Sequence, residues 1–549
     1  MNNIKVNYLN QEYEVGSGTT LFEFSKKFSN DYQFPIIIGK INHKVAELNT
    51  KIQKDCQIEL FDISSVIGNR VYERGLIFLY VKAIKNVLNK DVIIEHSIDR
   101  GIYTEIVDYQ EEFNDQVINT IIVEMEKLVS QKLPFEKLSL LRTEAIDYFE
   151  KNQETSKADL LKYISNTYVN FYRLDGMYDY FYGEMPIDTS NLKWFDLTKT
   201  DSNGIVLSFP NVYLDCQITD YVHHKMLFNE FSNYHQWIET INLNNVSDLN
   251  REISRDGAKE LVYMCENEQN SRLMDIAKTI KNNNKRLILI AGPSSSGKTT
   301  TSKKLVMYLK SLGLNPQELS VDDYFLNREV TPKKSNGAYD FESIAAVNVE
   351  LFKKQMQDLL ANQEVELPKY NFLLGKSEMS GKRFKLAAND ILIIEGLHAL
   401  NPQLMPIVEK EQVYKIYLSP LTSLNLDNHN RVSTTDNRIL RRMIRDNKHR
   451  GYNAETTLGN WQNVREGEEN NVFPYQDEAD VVFNTSLIYE LGALRVFAEP
   501  LLFSISEDSP HYSEALRLIN LLRTALPISG ENIPHDSIIR EFIGNNYFK

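Results

Sequence analysis

The feature that most constrains this chain is Gly292-Pro-Ser-Ser-Ser-Gly297-Lys298-Thr299, a complete Walker A pattern set between an apolar run and a helical one. Arg286-Leu-Ile-Leu-Ile-Ala291, just before it, has the character of a buried parallel strand. Beyond it, Leu305, Leu309 and Leu312 recur among good helix formers as far as residue 314. Strand, glycine loop and helix is the order that phosphate binding requires. The glycines let backbone N–H groups turn inward on an anion, and the helix points its positive end at the same place. Lys298 then reaches the outer phosphates, and the Thr299 hydroxyl is placed to ligate Mg²⁺. Gly292, Ser294, Ser295, Ser296, Gly297, Lys298, Thr299 and Thr300 are the expected triphosphate-binding residues.

A chain of 549 residues has room for three or four domains. Hydrophobic residues make up 42% and charged residues 25%, the balance of an ordinary globular protein. A net charge of −14 argues against a surface that binds polyanions throughout, so any nucleic-acid contact must be local. The three cysteines, Cys56, Cys216 and Cys265, are widely spaced and suggest neither a disulfide framework nor a zinc knuckle. No secretory pattern opens the sequence, and no apolar run nears the roughly 18 residues of a membrane span. A cytoplasmic protein without membrane association is expected.

The chain divides by pattern. In residues 1–62, an expected hairpin around Asn10-Gln-Glu, a short Ser/Thr-capped helix from Ser17-Gly-Thr-Thr through Phe28 and strands at 35–39 and 58–61 form a small α+β unit. It resembles the β-grasp TGS domain of threonyl-tRNA synthetases and stringent-response enzymes, a likeness that implies an interaction or RNA-contact module. Residues 63–235 resemble the mixed α+β editing-type domain that follows TGS in those synthetases. Such domains carry a His-x-x-x-His pair with a later Cys and His, and this chain has no His-x-x-x-His. His96 and the set Cys216, His223, His224 remain, so neither a metal site nor deacylation is expected there. A helical linker over 236–285 ends in Lys281-Asn-Asn-Asn-Lys285. An α/β catalytic domain over 286–500 and a helical tail over 501–549 complete the division.

Within 286–500 a strand at 319–321 should deliver Asp322 and Asp323 to the phosphate loop, where a carboxylate can accept a proton from an attacking hydroxyl. Asp390-Ile-Leu-Ile-Ile-Glu395-Gly396 is an apolar strand ending in an acid, the arrangement in which a carboxylate ligates Mg²⁺. These strands and their intervening helices predict a doubly wound parallel sheet with the site at the strand carboxyl ends. Residues 431–450 hold seven Lys/Arg against two Asp. Arg438, Arg441, Arg442 and Arg445 fall on one helix face, the pattern of a lid carrying mobile cations over phosphates.

Together with Tyr339-Asp340-Phe-Glu342, Pro368-Lys-Tyr370-Asn-Phe372 and Asp436-Asn-Arg-x-x-Arg-Arg-x-x-Arg-Asp446, these motifs resemble the uridine kinase/phosphoribulokinase family, nearest to uridine kinases. The resemblance implies an ATP- and Mg²⁺-dependent kinase acting on a ribonucleoside 5′-hydroxyl, uridine or cytidine. It implies Asp322 as general base, Asp340 on the ribose hydroxyls, Tyr370 and Phe372 around the base, Glu395 with Thr299 at Mg²⁺, and Arg441, Arg442 and Arg445 on phosphates. Two departures lie at the base end, where Asn371 and Gly375 replace the family's Asp and His. Two alternatives stay open. One is a kinase of a sugar phosphate or pantothenate-like alcohol, which for a sugar phosphate would need a further cationic site near Asp340. The other is a translation-linked, RNA-binding NTPase. Homo-oligomerisation is left open as well.

Overall fold

The computed structural model describes residues 3–109, 113–200, 204–334, 337, 339–404, 410–422 and 424–548. Met1 and Asn2, which head the first expected unit, and Lys549, which closes the tail, lie outside them.

The N-terminal sheet has the order β2-β1-β5-β3-β4, from strands β1 (Asn3–Tyr8), β2 (Gln11–Gly16), β3 (Ile38–Ile41), β4 (Lys44–Ala46) and β5 (Cys56–Phe61). The hairpin turns through Leu9 and Asn10, both at positive φ. Thr20 caps α1 (Leu21–Ser25) in a reciprocal capping box with Glu23, which fixes the helix start that the sequence suggested. Alternate residues of β1, Ile4, Val6 and Tyr8, pack with Phe24, Phe28 and Leu60. The strand expected at 35–39 begins later, at Ile38.

After the long helix α2 (Val66–Leu88) come two antiparallel sheets. One is β11-β12-β7-β6, built from β6 (Val92–Ile98), β7 (Gly101–Ile106), β11 (Asp196–Lys199) and β12 (Ile205–Ser208). The other is β10-β9-β8, from β8 (Glu136–Leu141), β9 (Tyr168–Leu174) and β10 (Met177–Tyr180). Helices α3 (Asp115–Ser130), α4 (Arg142–Lys151) and α5 (Thr155–Lys162) pack on them. The helical stretch that follows is α6 (Lys225–Thr240), α7 (Val246–Ser254) and α8 (Ala258–Asn282).

The third part is built on a five-stranded, fully parallel sheet of order β14-β17-β13-β18-β19. Its strands are β13 (Leu287–Ala291), β14 (Asn315–Ser320), β17 (Asp390–Glu395), β18 (Val413–Ser419) and β19 (Val481–Asn484). All five residues of β13 are buried. Leu287, Leu289 and Ala291 face one apolar cluster, whereas Ile288 and Ile290 face another. A strand buried on both faces needs cover on both, so the sheet is doubly wound. Helices α8 and α9 (Lys298–Ser311) cover one face, and α6 and α10 (Val349–Leu360) pack on the other, while α11 (Thr434–His449), α12 (Ala454–Asn471) and α13 (Glu490–Phe503) gather in a separate apolar cluster beside the sheet. A hairpin of β15 (Glu364–Asn371) and β16 (Lys376–Lys385) stands off the sheet. Helices α14 (Tyr512–Thr524) and α15 (Arg540–Ile543) complete the chain.

These parts are not beads on a string. One apolar cluster contains Phe149, Leu160 and Phe171 with Leu261, Leu440, Leu494, Leu518 and Ile539. The peptide N–H of Ile94 in β6 donates to the carbonyl of Asn428 (2.8 Å), and Asn425 Nδ2 returns a bond to the Ile94 carbonyl (2.9 Å). The buried Lys157 joins Asp179 and His429 across the same seam. Among the described residues, no helix is long and apolar enough to cross a membrane.

Candidate functional site

The phosphate loop leaves β13 and enters α9 at the carboxyl end of the sheet. Gly297 takes φ +82°, and a Cβ there would lie 2.5 Å from Ile538 Cγ2, so only glycine fits. Lys298 Nζ donates to the carbonyls of Gly292 (3.0 Å) and Pro293 (3.1 Å), which folds the ammonium over the loop. Thr299 is exposed on the first helical turn. Loop amides already meet carboxylates: Ser294 N–H donates to Glu468 (2.7 Å) and Thr300 N–H to Glu541 (3.1 Å). Ser295 Oγ and Ser296 Oγ are buried with no hydrogen-bond partner among the described residues.

β14 pairs with β17 so that Ser320 stands opposite Glu395, and Ser320 Oγ donates to the Glu395 carboxylate (2.7 Å). Asp322 and Asp323 sit on the 3-10 turn Val321–Tyr324 that directly follows, rather than on the strand itself. The two segments can approach because residue 396 is glycine; a Cβ there would stand 2.6 Å from Val321 Cβ. Burial, reinforced by the charge of Asp322, pushes Glu395 up to about 8, while Lys298 pulls the other way. Asp323 is raised too, chiefly by burial, and its carboxylate accepts the Tyr370 N–H (3.3 Å). Glu395 and Asp322 therefore share a partly dry site with Lys298, a donor set that fits a divalent cation ligated by one or two carboxylates plus phosphates and water.

Asp340 Oδ1 is buried without a partner among the described residues, and burial raises the Tyr370 hydroxyl while Arg328 beside it pulls the other way. Tyr370 and Phe372 meet edge to face with centroids 5.0 Å apart, and Phe325 touches both, making an aromatic corner. Arg328 Nη2 donates to the Phe372 carbonyl (3.0 Å), and a Cβ on Gly375 would lie 2.7 Å from Arg328 Nε. The guanidinium thus fills the space that a side chain at 375 would take. Arg450 lies 4.8 Å over the Phe372 ring, and burial with Arg445 nearby lowers it to about 10.

The arginine helix departs from the expectation of a mobile lid. Arg441 is fully buried, donates through Nε and Nη2 to Glu490, and reaches the Ser295 carbonyl beneath the loop (3.3 Å). Arg438, 1% exposed, pairs with Glu468. Desolvating such cations requires matched carboxylates, and these two are matched. Arg441 is therefore a supporting strut rather than a lid cation. Arg442 and Arg445 remain at the rim. Arg442 Nη1 donates to Ser294 Oγ (2.7 Å), and both arginines lean on Asp446 (3.2 Å each).

Several residues here escaped the sequence reading. Glu342, raised by burial, lies 3.8 Å from Arg442 and was visible only as the last letter of a motif. His398, buried beside Lys298, is held down to about 4, chiefly by burial. Arg328, Arg450, Glu468 and Glu541 had no local signal that tied them to phosphate or acceptor.

Residues 287–488 match the phosphoribulokinase/uridine kinase family. The N-terminal region matches threonine–tRNA ligases. The ligase of Desulforamulus reducens is 28% identical over 152 residues, which is 28% of this chain and 24% of that protein. The ligase of Carboxydothermus hydrogenoformans is 30% identical over 190 residues, 34% of this chain and 30% of that one. The chain thus spans about a quarter to a third of the length of these curated relatives. A solved structure described as a possible uridine kinase from Bacillus stearothermophilus aligns at 20% identity and TM-score 0.29, covering 40% of this chain and 100% of the other. The segment 287–488 is a phosphoribulokinase/uridine kinase family domain, and the N-terminal region is similar to threonine–tRNA ligases.

Proposed function

We propose that this site transfers the γ-phosphoryl group of ATP to the 5′-hydroxyl of a ribonucleoside, with uridine and cytidine the leading acceptors. The observation that carries the reading is the aromatic corner of Tyr370, Phe372 and Phe325, which Phe341 meets edge to face from the position next to Asp340, whose buried Oδ1 has no partner among the described residues. A flat base suits the first, and vicinal sugar hydroxyls suit the second. Asp322 takes the hydroxyl proton as the acceptor oxygen bonds to the γ-phosphorus and the bond to the bridging oxygen of ADP breaks. Lys298, released from the Gly292 and Pro293 carbonyls, follows the outer phosphates. Arg442 and Arg445 supply charge from the rim. Glu395 and Thr299 are the residues that would hold Mg²⁺, which supplies charge neutralisation on the phosphates.

One observation favours a second acceptor class. Arg328 and Arg450 stand at the Phe372 end of the corner. They supply the further cations that a sugar-phosphate acceptor requires. Kinetics with uridine, cytidine, deoxyuridine, ribose, pentose phosphates and pantothenate at matched concentrations decides between them. Ribonucleosides should turn over well and 2′-deoxy forms poorly, since a site built to bond a hydroxyl rejects analogues lacking it by up to about 10⁴-fold. Efficient turnover of a sugar phosphate with ribonucleosides inert overturns the nucleoside reading. The corresponding proposal for the N-terminal region is RNA contact, tested by tRNA binding to the full chain and by the salt dependence of that binding.

A further inference from the structure

The first-turn N–H groups of a helix have no acceptor within it, and in a Walker A site they are the donors that hold the inner phosphates. In α9 the Thr301 N–H bonds back to the Gly297 carbonyl (3.0 Å), which leaves Lys298, Thr299 and Thr300 as those donors. The Thr300 N–H already has an anionic acceptor, the Glu541 carboxylate at 3.1 Å.

The contact is one of several. Asn546 Nδ2 donates to Thr300 Oγ1 (2.9 Å), and Lys303 Nζ donates to the Phe548 carbonyl (2.9 Å). Ile538 packs on Gly297, and Phe542 lies under the Arg441 guanidinium at 5.0 Å. Residues 538–548 therefore lie along the amino end of the phosphate-binding helix, with one carboxylate aimed at it. Glu468 on the Ser294 N–H offers a contrast. That carboxylate is fully buried and clamped by Arg438 and Arg465, so it is a fixed part of the loop. Glu541 is half-buried on a four-residue helix.

We propose that the Glu541 carboxylate, carried on the docked segment 538–548, is an autoinhibitory plug that holds the place of an inner phosphate, and that nucleotide enters by displacing this side chain and the contacts of the residues after it. The inference rests on the triphosphate-site reading. It adds that nucleotide affinity is set by competition with a segment of the same chain. A carboxylate favoured by a helix amino terminus must be moved before a phosphate can take its donor, so bound nucleotide and seated Glu541 exclude each other.

The test measures Mg·ADP binding to the full chain by calorimetry, without acceptor, for wild type, Glu541→Gln and Glu541→Ala. Both variants should bind about two- to fivefold more tightly, the range that one terminal charge contact is worth. Hydrogen exchange of wild type provides a second measurement that needs no variant. Amides of residues 544–548, beyond the buried Phe542 and Ile543, should lose protection when ADP saturates the protein. Unchanged or weaker ADP affinity in both folded variants, or unchanged protection of that segment, overturns the plug while leaving the nucleotide site standing. No ADP binding by wild type or either variant overturns the nucleotide reading itself, and the plug with it.

Discussion

Arg441→Met separates a strut from a lid cation. In the folded protein the Arg441 guanidinium is 0% exposed and donates to both carboxylate oxygens of Glu490, to the Thr485 carbonyl (2.8 Å) and to the Ser295 carbonyl (3.3 Å). Methionine restores much of the volume but leaves Glu490, itself 2% exposed, without its cation. Breaking a buried pair by removing one partner costs about 3–5 kcal/mol. Because one core joins the parts of the 549-residue chain, each kcal/mol moves the midpoint by about 0.9 °C at about 2.1 cal/mol/K per residue, so a fall of roughly 3–4 °C is expected. Removing both charges in Arg441→Met/Glu490→Leu should recover most of that loss, because no unpaired ion then remains buried. Thermal unfolding followed by circular dichroism compares wild type, the single variant and the double. A single variant melting within about 1 °C of wild type, with phosphoryl transfer abolished, would refute the strut and return Arg441 to the role of a cation over the phosphates.

Asp322→Asn should lower kcat by about 10²–10⁴, the usual worth of a general base. Asp323→Asn, which weakens the acceptor for the Tyr370 N–H, should chiefly raise the acceptor KM, and the reverse order would identify Asp323 as the base. Arg328→Ala removes the guanidinium that fills the space over Gly375, and steady-state kinetics should show a raised acceptor KM with little change in the KM for ATP. An unchanged acceptor KM would place Arg328 outside the acceptor site. His96, stacked on Phe231 at 3.6 Å and facing the charges of His235 and Arg431, is pushed down to about 3 chiefly by burial. The unfolded chain takes up this proton near pH 6.5 and the folded one only near 3, so its contribution is full above pH 6.5 and is lost progressively below it. At pH 5 the loss comes to about 2 kcal/mol, and denaturant titrations of His96→Gln should lack that increment.

The parts of the site legible in the sequence are those whose signal is local. β13, the glycine loop and the start of α9 are contiguous, and their order alone specifies a phosphate cradle. The strand ahead of Asp322 runs over Asn315–Ser320, earlier than the 319–321 that its apolar residues suggest. Pro316, Gln317 and Glu318 weaken its apolar pattern, and its pairing with β17 supplies the missing order. Periodicity showed that Arg438, Arg441, Arg442 and Arg445 share a helix face, and they do lie on α11. It could not show what that face meets, because the matching carboxylates Glu468 and Glu490 lie 30 and 49 residues away along the chain. The same holds with more force for Glu541, 241 residues from the amide it bonds. Charge in a sequence reads as solvated until a distant partner is known.

The shared apolar cluster that joins Phe149 and Phe171 to Leu440, Leu494 and Ile539 sets what kind of lesion this protein can suffer. A chain cut near residue 285 would give two pieces, each with half a core open to water, although each half has relatives of its own. Ancestry is modular here while cohesion is not. A destabilising change among β8, β9 or α5, remote from every phosphate contact, would be felt through that common core as fewer folded molecules. Inherited or engineered variation in the N-terminal half would then alter the number of folded molecules and leave the phosphate loop of each survivor as it is.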